Sequence, residues 1–175
     1  MADQGFGKFT SVEEFLESFE RARRAEEERA VEESVGLEGR NRRRRRPPRQ
    51  PRRREVAEVT GVLREREADD TNAPKHHHLL LTVSEVLDAT VGVERDAARA
   101  ADSGEDVFVS VRFGDRMGIT DTIDGLVAGA VLHLRGEWIT RELAHDHGGR
   151  DLAVLHFTHD PLGFICVGDP AVCYR

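Results

Sequence analysis

The feature that most constrains this chain is residues 40–54, a segment of ten arginines and three prolines that contains no aliphatic or aromatic residue. Such a segment cannot bury a core, and its charges repel one another, so it is predicted to be an extended, disordered linker. It divides the chain into an N-terminal part, residues 1–39, and a C-terminal domain, residues 55–175. The overall charge of −7 therefore hides a strongly basic segment between two acidic ones.

Two interpretations of the arginine-rich segment remain open. A run of like charge beside a folded domain commonly binds phosphate, which would make the segment a contact for nucleic acid or another polyanion. Alternatively, the linker is solvated or lies on the acidic surface of its own chain. The candidate nucleic-acid-binding residues are Arg42, Arg43, Arg44, Arg45, Arg46, Arg49, Arg52, Arg53 and Arg54.

Residues 1–39 are predicted to contain one acidic, amphipathic helix. Thr10 and Ser11 are N-cap candidates, because each is followed three residues later by a glutamate. Apolar side chains then recur at helical spacing but thin out after Phe19, so the helix needs a partner surface. That surface is either its own domain or a protein partner bound through residues 9–35. The candidate docking residues are Phe9, Val12, Phe15, Leu16 and Phe19.

Residues 55–175 are predicted to form a mainly β domain. A partly helical insert at 84–104 and a connector at 114–129 interrupt a series of short apolar stretches, and Gly61 is placed for a bulge. The order of three strands, a connector and two strands is that of an OB-fold. The sequence therefore predicts a five-stranded OB-like barrel behind an N-terminal α-helix and an Arg-rich linker. The predicted strands are 56–63, 78–83, 107–113, 130–138 and 152–157.

Five of the eight histidines lie in two short segments, 75–78 and 155–161, each beside a predicted strand. If those strands are neighbours in the barrel, the imidazoles converge on one site. Neutral imidazole is a common ligand of divalent transition metals, so a metal site is one interpretation. A structural hydrogen-bond cluster and direct contact with a ligand or phosphate are the others. The candidate metal ligands are His76, His78, His156 and His159, with Asp70 or Asp160, whereas His133, His145 and His147 are predicted to face solvent.

Several short motifs occur in a distinctive order along the domain. They are Thr-Gly-Val at 60–62, Asp-Asp at 69–70, Lys-His-His at 75–77, Gly-Leu-Val-Ala-Gly-Ala at 125–130, Gly-Glu-Trp at 136–138, Gly-Gly at 148–149 and His-Phe-Thr-His-Asp-Pro-Leu-Gly at 156–163. Residues of about 58–164 thereby resemble an uncharacterised family of small bacterial OB-like domains with a closing His-Trp-Thr-His-His-Asp-Pro motif. In this chain one histidine of that motif is missing and Phe157 replaces the tryptophan. The resemblance implies the fold and no particular activity.

The sequence offers little to support catalysis. It contains neither a Gly-x-Ser-x-Gly nucleophile motif nor a phosphate-binding loop. No apolar run is long enough to span a bilayer, and no secretory signal is visible, which predicts a cytoplasmic location. In that reducing compartment Cys166 and Cys173 are predicted to be free thiols.

These features favour a non-enzymatic binding or adaptor protein without a resident cofactor. The barrel and the arginine-rich segment would contact nucleic acid or a nucleoprotein complex, while the helix docks on a protein. Because the domain is acidic and only 6% of the chain is aromatic, the arginines are expected to supply most of the affinity. The alternative is a metal-binding or metal-dependent hydrolytic domain that uses the histidines.

Overall fold

The computed structural model describes residues 8–38, 54–115, 118–120, 122–146, 151–159 and 161–175. The predicted linker lies outside the described residues except for Arg54, and Asp160 lies outside them as well. None of the described helices combines the length and the apolar character that crossing a bilayer requires.

The described residues form short helices and strands around one barrel, with a longer helix at the N-terminal end. One of these elements is a 3-10 helix at Arg141–Asp146. The other elements are β1 (Lys8–Phe9), α1 (Val12–Glu38), β2 (Val56–Arg66), β3 (His76–Ala89), α2 (Glu94–Ser103), β4 (Asp106–Arg112), β5 (Val131–Ile139), β6 (Val154–His156), β7 (Phe164–Val167) and β8 (Val172–Tyr174).

Strands β2 to β6 close into a five-stranded barrel. β2, β3 and β4 form an antiparallel meander, and β5 pairs with the other edge of β2. β6 closes the barrel, because it pairs parallel with β4 and antiparallel with β5. The predicted mainly β fold, a five-stranded OB-like barrel with an N-terminal helix, is confirmed, and it carries three additional strands.

The alternation of residues along these strands explains the barrel. In β3, Leu79, Leu81 and Val83 are buried while their neighbours are partly exposed, which is the pattern of a strand with one face on a core. Gly61 marks a register shift in β2, and a Cβ atom at this position would lie 2.5 Å from the carbonyl oxygen of Thr82. The bulge predicted at Gly61 is therefore confirmed, and the reason for glycine is the close approach of β3.

The C-terminal hairpin extends the sheet beyond the barrel. β7 pairs with β5, β8 pairs with β7, and the two-residue strand β1 adds to the outer edge of β8. The sequence prediction missed these strands because each is only two to four residues long. Cys166 and Cys173 face one another in this hairpin and form a disulfide, so the prediction of free thiols is wrong. Structural disulfides are typical of oxidising compartments. This bond therefore argues against the predicted cytoplasmic location, which stays a prediction.

Helix α1 packs on the same hairpin. The Ser11 hydroxyl accepts a hydrogen bond from the backbone N–H of Glu14 at 3.4 Å, as expected of an N-cap. Phe15 and Phe19 are buried, and their ring centres lie 4.9 and 5.1 Å from that of Phe164. The five predicted docking residues, Phe9, Val12, Phe15, Leu16 and Phe19, all join a cluster that includes the two cysteines. The intramolecular interpretation thus accounts for this face of the helix, and docking of residues 9–35 on a protein partner stays a prediction.

Candidate functional site

The histidines at the start of β3 divide between the two faces of the strand. His77 points inward and is buried, with its ring stacked on Phe113 at a centroid distance of 3.8 Å. Its Nδ1 atom lies 2.9 Å from one carboxylate oxygen of Asp69, and Arg66 donates to the other carboxylate oxygen at 2.9 Å. Burial lowers the pKa of His77, although Asp69 opposes this shift. His77 is thus part of a structural cluster that fixes the turn before β3.

His76 and His78 point outward and meet His156 across β4. The ring centre of His76 lies 6.5 Å from that of His78 and 5.8 Å from that of His156. Ser110 of β4, the strand between them, is the register partner of His78. The two histidine segments thus converge for these three residues, although the strands that carry them are not neighbours, as the prediction assumed, but flank β4.

Two phenylalanines complete the surface around the histidines. The Phe108 ring centre lies 5.2 Å from that of His78, and the Phe157 ring centre lies 4.2 Å from that of His156. All of these side chains are partly exposed on the outer face of the barrel. We call the set formed by His76, His78, Phe108, His156 and Phe157 the imidazole face.

The position of Phe157 depends on a strained turn and on a nearby glycine. Phe157 has a φ of 51°, which is uncommon for a residue with a Cβ atom and ends β6 with a sharp change of direction. On β5, a Cβ atom at Gly136 would lie 2.4 Å from the carbonyl oxygen of His156. Glycine at position 136 therefore allows the chain to turn against β5 and to present Phe157 outward. Strained residues of this kind are often retained at functional sites.

Arg54 joins the arginine-rich segment to the imidazole face. Its guanidinium carbon lies 4.1 Å from the centre of the Phe157 ring, within the range of a cation–π contact. Of the nine candidate nucleic-acid-binding arginines, Arg54 is the one that the structure describes, and the others lie in residues 40–53. The C-terminal end of the basic segment is thus held beside the histidines, two residues before β2 begins.

The fourth predicted metal ligand does not join the other three. His159 is buried, and its ring centre lies 5.8 Å from that of Phe157. Its carbonyl oxygen accepts hydrogen bonds from the backbone N–H groups of Leu162 and Gly163. Within the described part of the chain, no three histidine, cysteine, aspartate or glutamate side chains are grouped so that they could hold one metal ion.

Charged groups from several elements surround the imidazole face. The pKa of Asp70, in the turn before β3, is lowered mainly by a hydrogen bond from the backbone N–H of Asn72. Electrostatic interaction with His78 and His76 lowers it further. On β4, Arg112 is neutralised by Asp115, with the shortest contact at 2.7 Å. Burial is the main cause that lowers the pKa of His76, and the charges of His78 and Arg112 add to it.

A second group of charged side chains lies on β2 and β5, in the groove that α1 forms with the barrel. Glu58 accepts hydrogen bonds from His133 at 2.8 Å and from Arg135 at 3.0 Å. The prediction that His133 faces solvent is wrong, because its side chain is only 16% exposed. A groove of 820 Å³ between α1 and the barrel ends on this network, and its lining mixes five glutamates with four arginines. This near balance of charge makes the groove a weaker candidate than the imidazole face.

Phe108 and Phe157 of the imidazole face, and the neighbouring Ser110 and Arg112, are residues that the prediction of site residues missed. For the three residues of β4 the signal was present, because alternation in the predicted third strand places them on the outward face. Which outward residues lie beside the histidines depends on the pairing of β4 with β3 and β6, and no local pattern reveals that pairing.

Comparisons of the chain with protein-family models, with curated proteins and with solved structures find no match.

Proposed function

We propose that this protein binds single-stranded nucleic acid, with the imidazole face as the platform for bases and the arginine-rich segment as the clamp on phosphates. The observation that carries the proposal is the contact of Arg54 with Phe157 at 4.1 Å, which makes the two candidate surfaces continuous. Neither surface would serve well alone, because the segment has no aromatic residue and the domain is acidic.

The location of the imidazole face supports this proposal. OB-folds bind oligonucleotides on the face formed by their second and third strands, with the flanking loops. In this barrel those strands are β3 and β4, which carry His76, His78 and Phe108. Bases stack on aromatic rings and imidazoles without regard to sequence, so the expected binding has little sequence preference.

The charge distribution assigns most of the affinity to the arginines. Arginine–phosphate contacts release condensed counterions, and the affinity then falls steeply as the salt concentration rises. Arg54 lies where an arginine of the segment can both stack on Phe157 and reach a phosphate beside the bound base. A strand bound on the face would therefore reach Arg54, the C-terminal residue of the segment.

The test is fluorescence anisotropy of a labelled oligothymidylate of about 12 nucleotides, titrated at several salt concentrations. Replacing Arg42, Arg43, Arg44, Arg45 and Arg46 with serine is expected to reduce the slope of log affinity against log salt by up to about 3.5. Replacing Phe157 with alanine is expected to weaken binding by about 1–3 kcal/mol and to leave that slope nearly unchanged.

Matched controls separate these effects from general loss of charge or of folding. Arg21 and Arg95 are exposed arginines away from the imidazole face, so the double variant Arg21→Ser/Arg95→Ser removes as much charge as Arg44→Ser/Arg45→Ser. The proposal predicts that only the second pair weakens binding. Equal losses in both pairs, or affinity that does not respond to salt, would contradict it.

A further inference from the structure

Three of the five side chains of the imidazole face are histidines, which can bind an anion as well as stack on bases. Two strands that flank β4 carry these histidines: β3 carries His76 and His78, and β6 carries His156. None of them is His77, the buried histidine that contacts Asp69. We propose that these three histidines form a phosphate subsite, which holds a phosphoryl group on protonated imidazoles and so couples binding to proton uptake. The inference rests on the proposed function for the identity of the ligand, a backbone phosphate of nucleic acid.

The spacing of the rings suits a phosphate. Phosphate oxygens are separated by about 2.5 Å and accept charge-assisted N–H···O bonds of about 2.8 Å. One phosphoryl group can therefore bridge imidazoles whose ring centres lie 5.8 and 6.5 Å apart. The three side chains lie on the outer face of β3 and β6 and are partly exposed, as a site for a strand that lies across β3 and β4 requires.

The surrounding charges explain why protonation would control the subsite. Asp70 faces it from the turn before β3, and Glu137 stands opposite His156 on β5. Among the described residues, Arg112 on β4 is paired with Asp115, and Arg54 lies against Phe157. Each imidazole that takes up a proton therefore adds positive charge beside the carboxylates of Asp70 and Glu137 and strengthens the attraction of the subsite for phosphate.

Linkage fixes the sign of the pH dependence. Burial and neighbouring positive charge disfavour protonation of His76 in the free protein. A bound phosphate supplies the opposite charge, so it favours protonation, and binding takes up protons. If phosphate binding raises the pKa of two histidines by about one unit each, binding becomes tighter at about pH 5.5 than at about pH 8 by at most about 100-fold.

The first experiment measures oligothymidylate affinity at these two pH values and constant ionic strength. The intact protein is expected to show most of the 100-fold difference, and His76→Gln and His156→Gln are each expected to remove about tenfold of it. His133→Gln is the matched control, because His133 is a partly buried histidine of the same barrel outside the imidazole face. Emission from Trp138, which is buried in the core, verifies that each variant is folded.

The second experiment separates failure of the subsite from failure of nucleic-acid binding. Inorganic sulfate, an anion that does not titrate in this range, is added while the histidine ring protons are followed by NMR. Saturable shifts of His76, His78 and His156, with a raised pKa for at least two of them, support the subsite even if the oligonucleotide does not bind. Oligonucleotide binding that is independent of pH and of these histidines, with no response to sulfate, overturns the subsite and leaves the proposed function intact.

Discussion

Helix α1 is expected to protect the Cys166–Cys173 disulfide, and replacing Phe15 with alanine tests this directly. Both cysteines are buried, and Phe15 and Phe19 cover them from the helix side. A reductant can reach the sulfur atoms only when the helix has left the hairpin. The rate of reduction therefore reports the fraction of molecules in which α1 is undocked.

The magnitude follows from the burial of Phe15, whose side chain is fully inaccessible. A Phe-to-Ala change in such a position costs about 3–5 kcal/mol. Over residues 12–29, whose burial the structure describes, Phe19 is the only other buried side chain of the helix, and an isolated helix of this kind is not stable by itself. A loss of about 3 kcal/mol from docking raises the undocked fraction about 100-fold, and the reduction rate should rise in proportion while opening is rare.

The assay measures thiol release by a small dithiol under native conditions, together with emission from Trp138, the only tryptophan. Trp138 lies in the barrel core, where its Nε1–H donates to Asp96 at 2.8 Å, so its emission reports the barrel and not the helix. In Phe15→Ala we expect fast reduction with native emission, and in the exposed-site control Glu17→Ala a rate equal to that of the unaltered chain. An unchanged rate in Phe15→Ala, or loss of the native Trp138 signal with the disulfide, would refute the reasoning.

Three further predictions concern the barrel. Gly136→Ala places a Cβ atom 2.4 Å from the carbonyl oxygen of His156 and should cost about 1–3 kcal/mol, measured by urea denaturation; unchanged stability would show that β6 can move away. Burial acts to raise the pKa of Glu58, but hydrogen bonds from His133 and Arg135 outweigh it and lower the pKa. The resulting stabilisation is present above the ordinary value of 4.5 and is lost as the pH falls through the folded-state value, so Glu58→Gln should flatten the acid limb of a stability–pH curve. In a double-mutant cycle, Trp138→Phe and Asp96→Ala should show a coupling of about 1.5–3 kcal/mol, and additive effects would argue against their hydrogen bond.

Much of the barrel could be predicted from the sequence because strand alternation and turn chemistry are local. Alternating apolar residues locate β2 to β5, the Thr-Ser-x-Glu-Glu pattern locates the start of α1, and Gly61 marks the bulge. The convergence of His76 with His156 was expected if their strands were neighbours; in the structure it arises because β3 and β6 lie on either side of β4, as the OB order of strands dictates. In each case the deciding interaction lies within a few residues or is dictated by a single topology.

Tertiary structure alone decided which surfaces these elements cover. Lys8 pairs with Tyr174 at the opposite end of the chain, and only that hairpin explains the burial of Phe15 and the pairing of the cysteines. Likewise, the separation of His77 from its neighbours is visible as alternation, but the placement of Arg54 on Phe157 is not. Periodicity shows that a side chain needs a partner, whereas the identity of the partner depends on contacts between residues far apart in sequence, which no local pattern encodes.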